Sequence, residues 1–157
     1  VKSAYQLAPA LRVAFMGSVE GVVESYLKGT EISQGIYKTK DKTVVLPATE
    51  VVSQDEFFDY DAKYNGKVQE ITPARLSPET AKAVAAETSR IYDILHANGI
   101  IRIDYIITKD KDGNDKVNML EINTTPGMTA TSFIPQQVRA AGLNISDVLT
   151  DIVENQF

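Results

Sequence analysis

The sequence predicts an α+β fold built on a mainly antiparallel sheet with flanking helices. Three observations carry that prediction. Runs rich in β-branched residues, such as 31–37, 43–46 and 100–108, are separated by short polar turns. Asp112-Gly113 stands between two of these runs, and an Asp-Gly step favours a hairpin because a type I′ turn needs positive φ at both central residues. Helical periodicity is confined to a few blocks, chiefly 77–97, and does not alternate strictly with the strands.

Residues 3–15 have helical spacing at Leu7, Leu11, Ala14 and Phe15, and Ser3 with Gln6 suits a capping box. Pro9 fits poorly inside that helix and favours a start near Ala8. Residues 22–27 read as a strand, Lys28-Gly29 as a turn, and 31–37 as the returning strand. Lys40-Asp41-Lys42 turns into 43–46, Pro47 ends or offsets that strand, and Val51-Val52 continue it. Residues 57–68 are aromatic and charged and read as a structured loop. Ser77 caps the long helix and Pro78 occupies its first turn. Ala81, Val84, Ala85, Thr88, Ile91, Tyr92 and Leu95 form its apolar stripe, and Asn98-Gly99 supplies the stop. Strands follow at 100–108 and 117–123, then a loop over 124–135 and helices over 136–141 and 146–157.

With Asp112-Gly113 as a two-residue loop, Asp104 lies opposite Glu121 and Arg102 opposite Asn123. Alternation puts Arg102 and Asp104 on one face, shared by Glu121 and Asn123. Directly opposed β-carbons are about 5 Å apart, and like charges there are destabilising. Two arrangements relieve the cost: a divalent cation such as Mg²⁺, or a proton shared by the two acids.

Composition narrows the classes. The chain has 157 residues, no cysteine and a net charge of −5. Disulfide frameworks and thiolate zinc sites are excluded, and the charge argues against general nucleic-acid binding. No apolar run approaches membrane-spanning length, so no membrane association is expected and cytoplasmic residence fits. The chain opens on Val1 rather than Met, as a fragment or processed product would.

Other motifs carry two readings each. Asn123-Thr124-Thr125-Pro126-Gly127-Met128-Thr129 is either a plain turn or a loop whose amides and hydroxyls meet an anion. Phe57-Phe58-Asp59-Tyr60-Asp61-Ala62-Lys63-Tyr64 is either an aromatic cluster or a loop presenting Lys63 to phosphate. Residues 23–31 form an edge hairpin, or a nucleoside edge with Glu31 at a ribose. Asp110, Asp112, Asn114 and Glu121 imitate a calcium loop, but Asp115 replaces the required glycine and the flanks are strands. His96, near a helix end, lacks a triad context, and no P-loop or dinucleotide fingerprint is present.

Four motifs in order, Glu24 to Glu31, Phe58 to Tyr64, Arg102 to Asp104 and Glu121 to Thr129, resemble the C-terminal half of D-alanine–D-alanine ligases, which are ATP-grasp enzymes. One departure is Phe58, where the family carries an aromatic hydroxyl. The resemblance implies an ATP-grasp C-terminal domain over 27–157, preceded by a remnant of the central lid domain over 1–26. It implies that Asp104, Glu121 and Asn123 hold two Mg²⁺ ions, for which Mn²⁺ can substitute. Glu24, Ser25, Tyr26 and Leu27 would line the adenine pocket and Glu31 would hold the ribose. Lys63 would meet the γ-phosphate or a substrate carboxylate, and Tyr64 would latch the active-site loop. Arg102 and the Gly127 amide would stabilise the oxyanion, with Ser132 and Phe133 at the second D-alanine. The implied activity is ATP-dependent ligation of two D-alanines through an acyl phosphate, for peptidoglycan precursors. A homodimer is implied for the full-length enzyme. The family's glycine-rich phosphate loop is missing, so the chain alone is expected to be inactive. A D-alanyl-D-lactate ligase and a non-catalytic nucleotide- or metal-binding module are the alternatives.

Overall fold

The computed structural model describes residues 1, 3–53 and 68–157. The aromatic loop carrying Lys63 and Tyr64 lies outside the described residues. Its elements in chain order are α1 (Ala4–Ala14), β1 (Thr30–Lys38), β2 (Thr43–Val45), β3 (Thr49–Ser53), β4 (Val68–Ile71), α2 (Pro78–Ile94), β5 (Ile100–Lys109), β6 (Asp115–Asn123), α3 (Phe133–Ala140) and α4 (Ile145–Glu154). The strands form one antiparallel sheet in the order β4-β3-β1-β5-β6, with β2 also paired to β1. The α+β, mainly antiparallel class expected from the sequence is the one observed.

Alternation along β1 and β5 divides the sheet into two unlike faces. Ile32 and Ile36 on β1 join Ile101, Ile103, Tyr105 and Ile107 on β5, and this face packs on Val84, Ile91 and Tyr92 of α2. Burying each large aliphatic contributes about 1.5–3 kcal/mol, so this layer dominates the core. Among the described residues the opposite face is covered only at one end. There Tyr37 and Ile100 pack with Leu46, Ile134, Val138 and Val148, beneath α3 and α4.

The outer edge of β1 changes partner partway along. Residues 31–33 pair with β3, and 36–38 pair with β2. The gap is closed from α3 by Gln137, whose side chain is wholly buried. Its Oε1 accepts from the Gly35 amide at 2.8 Å, and its Nε2 donates to the Ser33 carbonyl at 2.9 Å and to Thr49 Oγ1 at 3.1 Å. Gly35 makes the approach sterically possible, because a Cβ there would lie 2.5 Å from Ile134 Cδ1 and 2.8 Å from Gln137 Oε1.

Helix ends explain several differences from the expected boundaries. α2 stops at Ile94, before Asn98-Gly99, because His96 takes φ +48°. The His96 amide bonds Asp93 O at 3.0 Å and the Ala97 amide bonds Tyr92 O at 3.1 Å, which is a Schellman motif. α3 ends in the same way on Gly142 at φ +70°, with Leu143 N bonded to Val138 O. α3 begins at Phe133, three residues before the expected 136, since Pro135 falls in the first turn where no intrahelical N–H is needed. α1 begins at Ala4 despite Pro9, and Ser3 makes no side-chain cap bond, so the start near Ala8 and the capping box are both corrected. The final helix runs over Ile145–Glu154 and is capped by Asn144, which accepts from the Ser146 amide.

The strand expected over 22–27 is absent, and residues 20–28 have no regular structure. Strand identity needs a ladder partner, and these residues find none among the described residues, whatever their β-propensity. None of the residues of α1 is buried either.

Two stability outcomes follow from these contacts. His96→Gly should stabilise the chain by about 1 kcal/mol in urea unfolding, because glycine carries no penalty in the left-handed region. Gln137→Leu should destabilise it by about 2–4 kcal/mol in the same measurement, because two buried backbone groups lose their partner.

Candidate functional site

The end of the second face beyond α3 and α4 carries the polar residues. Alternation places Glu31 and Ser33 of β1 beside Asp104 of β5, with Ser33 directly opposite Asp104 and Gly35 opposite Arg102. On the other side of β5, Asp104 faces Glu121 and Arg102 faces Asn123, as the sequence suggested.

The route to that register differs from the one expected. The loop is one residue longer than Asp112-Gly113: Lys109 pairs with Asp115, Asp110 N bonds Asn114 O, and Gly113 adopts φ +85°. This three-residue loop ends in a left-handed glycine. It is further fixed by Asp110 Oδ1, which accepts from the Asp112 and Asn114 amides, each at 2.9 Å. It offsets the register by one. A bulge then restores it, since Tyr105 pairs with Met119 while Asp104 pairs with Glu121, leaving Leu120 as the extra residue. Val117 and Ile122 therefore both join the α2-side core, while Glu121 and Asn123 face the open side.

Arg102 grips Asp104 with two bonds, Nε to Oδ1 at 3.0 Å and Nη2 to Oδ2 at 2.8 Å. The same Nη2 lies 3.8 Å from Glu121 Oε1. The guanidinium carbon sits 5.3 Å from the centre of the Phe133 ring, a distance at which the ring face attracts the cation. Ser33 Oγ donates to Asp104 Oδ1 at 2.6 Å. Asp104 is thus nearly enclosed, whereas the Glu121 side chain is 65% exposed.

The strand leads straight into the 124–132 loop. Asn123 Oδ1 accepts from the Thr125 amide at 3.0 Å. The loop folds back so that a Cβ on Gly127 would lie 2.9 Å from Ser132 Oγ. Ser132 Oγ and Thr129 Oγ1 share a hydrogen bond of 2.8 Å. Ser132 is also the N-cap residue of α3, yet its hydroxyl makes no cap bond, so it remains directed at the loop. Phe133, the next residue, supports Arg102.

The structure therefore gathers Glu31, Arg102, Asp104, Glu121 and Asn123 on one sheet face, with Gly127, Ser132 and Phe133 adjoining. Glu24, Ser25, Tyr26 and Leu27 lie in the exposed irregular segment instead. Sequence reasoning missed Ser33 and Gln137. The polar-apolar alternation Glu31-Ile32-Ser33 already placed Ser33 beside Glu31. Nothing in the sequence pointed to Gln137, which reads as an ordinary helix residue. A cleft of about 600 Å³ bordered by Lys28, Leu76, Ile107, Lys109 and Asp115 includes none of Glu31, Asp104 and Glu121.

Among the described residues no group of three or more His, Cys, Asp or Glu could hold a metal ion. The donor set is two carboxylates and one carboxamide. It fits Mg²⁺, which binds through one or two carboxylates and keeps its remaining positions for water and phosphate oxygens. Burial first, and then the charges of Asp104 and Glu121, push the Glu31 carboxyl above its ordinary value.

This sheet, with α2 on one face and α3 and α4 over one end of the other, is the C-terminal domain fold of ATP-grasp ligases. It superposes on a D-alanine–D-alanine ligase of Bacillus anthracis, solved in complex with ATP, at TM-score 0.75 and 33% identity, covering 99% of this chain and 48% of that one. A D-Ala:D-Ser ligase from Enterococcus faecalis matches at TM-score 0.82 and 28% identity over 99% of this chain and 44% of that one. The chain belongs to the family described as D-ala D-ala ligase C-terminus, which matches residues 1–154. A D-alanine–D-alanine ligase of Phocaeicola vulgatus is 64% identical over all 157 residues, which make up 47% of that protein. The chain thus spans about half the length of the curated relatives it matches.

Glu31 gives a pH outcome. Its folded pKa is raised above the ordinary carboxyl value of 4.5, so the folded state binds its proton more tightly than the unfolded chain does. Its ionisation therefore costs stability at pH values above the folded pKa, and the cost is absent below about 4.5. Glu31→Gln should be more stable than the parent at neutral pH in EDTA, with the difference closing as pH falls through that window. Thermal unfolding as a function of pH measures it.

Proposed function

We propose that the chain is the C-terminal part of an ATP-dependent ligase that joins two D-alanine molecules for peptidoglycan precursors. The carrying observation is the opposed pair Asp104 and Glu121, gripped by Arg102 beside the Gly127–Ser132 loop. Two carboxylates facing each other suit a polyphosphate held through Mg²⁺, and an adjoining cation with a backbone amide suits a developing oxyanion.

In this reading residues 27–157 form the catalytic domain and 1–26 belong to a neighbouring lid. Glu24, Ser25, Tyr26 and Leu27 meet the adenine and Glu31 the ribose. Asp104, Glu121 and Asn123 hold Mg²⁺, which when bound neutralises charge on the transferring phosphates. The first D-alanine carboxylate attacks the γ-phosphorus and ADP leaves, giving an acyl phosphate. The second D-alanine, seated at Ser132 and Phe133, attacks the acyl carbon through its amine. Arg102 and the Gly127 amide stabilise the tetrahedral oxyanion, and phosphate departs. Lys63 neutralises the γ-phosphate or the substrate carboxylate, and Tyr64 latches the covering loop. The complete enzyme works as a cytoplasmic homodimer. No helix of the described residues is long and apolar enough to cross a membrane.

A second reading, a ligase with a different second substrate, is favoured by the likeness to the D-Ala:D-Ser enzyme. One assay separates them. A polypeptide of the relatives' full length should release phosphate with D-alanine alone, and faster than with D-serine or D-lactate as the second partner. Glu121→Gln should lose at least about 100-fold of that turnover at ordinary Mg²⁺. Near-normal turnover in this variant sinks the metal assignment, and no phosphate release in the parent favours a non-catalytic binding module.

A further inference from the structure

We propose that Ser33 is a positioning residue for Asp104, holding the carboxylate in the rotamer that accepts a divalent cation. The inference rests on the reading of Asp104, Glu121 and Asn123 as the cation's ligands. Ser33 faces Asp104 directly across the β1–β5 ladder. It is 1% exposed, and its hydroxyl donates to Asp104 Oδ1 at 2.6 Å, within the range for a hydroxyl bonded to a charged oxygen.

The two groups that now hold Asp104 are not equivalent. Arg102 occupies both oxygens, and the same guanidinium reaches toward Glu121 at 3.8 Å. A cation drawn to the acid pair competes with Arg102 for those lone pairs and repels its charge. Ser33 carries no charge and is not displaced in this way. Its backbone is also anchored, because its carbonyl accepts from Gln137 Nε2 at 2.9 Å. Ser33 is therefore the restraint on Asp104 that the charge of a cation does not displace. Without the hydroxyl, a cation must immobilise the carboxylate unaided.

Mn²⁺ binding to the complete ligase, followed by electron paramagnetic resonance with a non-hydrolysable ATP analogue, tests this. Ser33→Ala should weaken Mn²⁺ binding about 10- to 100-fold, the usual effect of removing a hydrogen bond to a metal ligand. Ser33→Thr keeps the hydroxyl and should restore most of the affinity. Turnover of Ser33→Ala should recover at high Mn²⁺, so the metal requirement moves more than kcat. Unchanged affinity in Ser33→Ala, in a protein where Asp104→Asn abolishes binding, overturns the inference and leaves the metal reading standing. No Asp104-dependent Mn²⁺ binding in the parent overturns the metal reading beneath it. Loss of folded far-UV circular dichroism in Ser33→Ala, or no recovery in Ser33→Thr, makes the role structural and also overturns it.

Discussion

The Gln137 carboxamide sits where a sheet strand would otherwise be. β1 needs a partner for the Gly35 amide and the Ser33 carbonyl between the ends of β3 and β2, and a side chain from α3 supplies both bonds. A buried backbone group without a partner costs about 1–3 kcal/mol, so the helix is tied to the sheet by more than apolar packing. The tie also sets distances. α3 begins at Phe133, under Arg102, and one turn later Gln137 holds the carbonyl of the residue that bonds Asp104. One helix thus fixes both the arginine and, through β1, the acid it pairs with.

The second face of the sheet runs from apolar to acidic over a few residues of β1: Tyr37, Gly35, Ser33, Glu31. α3 and α4 cover the apolar end, and Gly35 marks the boundary because nothing larger fits beneath Ile134. Beyond it three carboxyl groups share a small area. Arg102 compensates them in part, through its bidentate pair with Asp104 and its approach to Glu121. Burial first, and the charges of Asp104 and Glu121 after it, raise the Glu31 carboxyl above its ordinary value.

Much of this was legible in the sequence because it depends on local rules. Period-two alternation gave β1 and β5, Ser77-Pro78 gave the start of α2, and four short motifs gave the family. Elements that depend on distant partners were less legible. Residues 22–27 have strand composition but no ladder partner among the described residues. His96 stops α2 in a conformation usually left to glycine, so its sequence carries no stop signal. Ser33 was readable from its place in the alternation, whereas Gln137 was not, since its role exists only once β2 and β3 fail to meet. The Asp104–Glu121 pairing was anticipated through a loop one residue too short, and Leu120 happened to offset the error.

Leu120 also sets a rule of parity for the β5–β6 hairpin. Val117 and Glu121 are an even number of positions apart, so an unbroken strand would point both the same way. The extra residue reverses the phase between them, sending Val117 into the α2-side core and Glu121 to the open face. The hairpin is in effect two half-strands written in opposite phase. A single-residue insertion or deletion between Met119 and Glu121 would exchange the carboxylate and carboxamide for Ile122 and turn an acidic surface into a greasy one. The chain length of three residues thus carries as much of the chemistry as the identities of the acids.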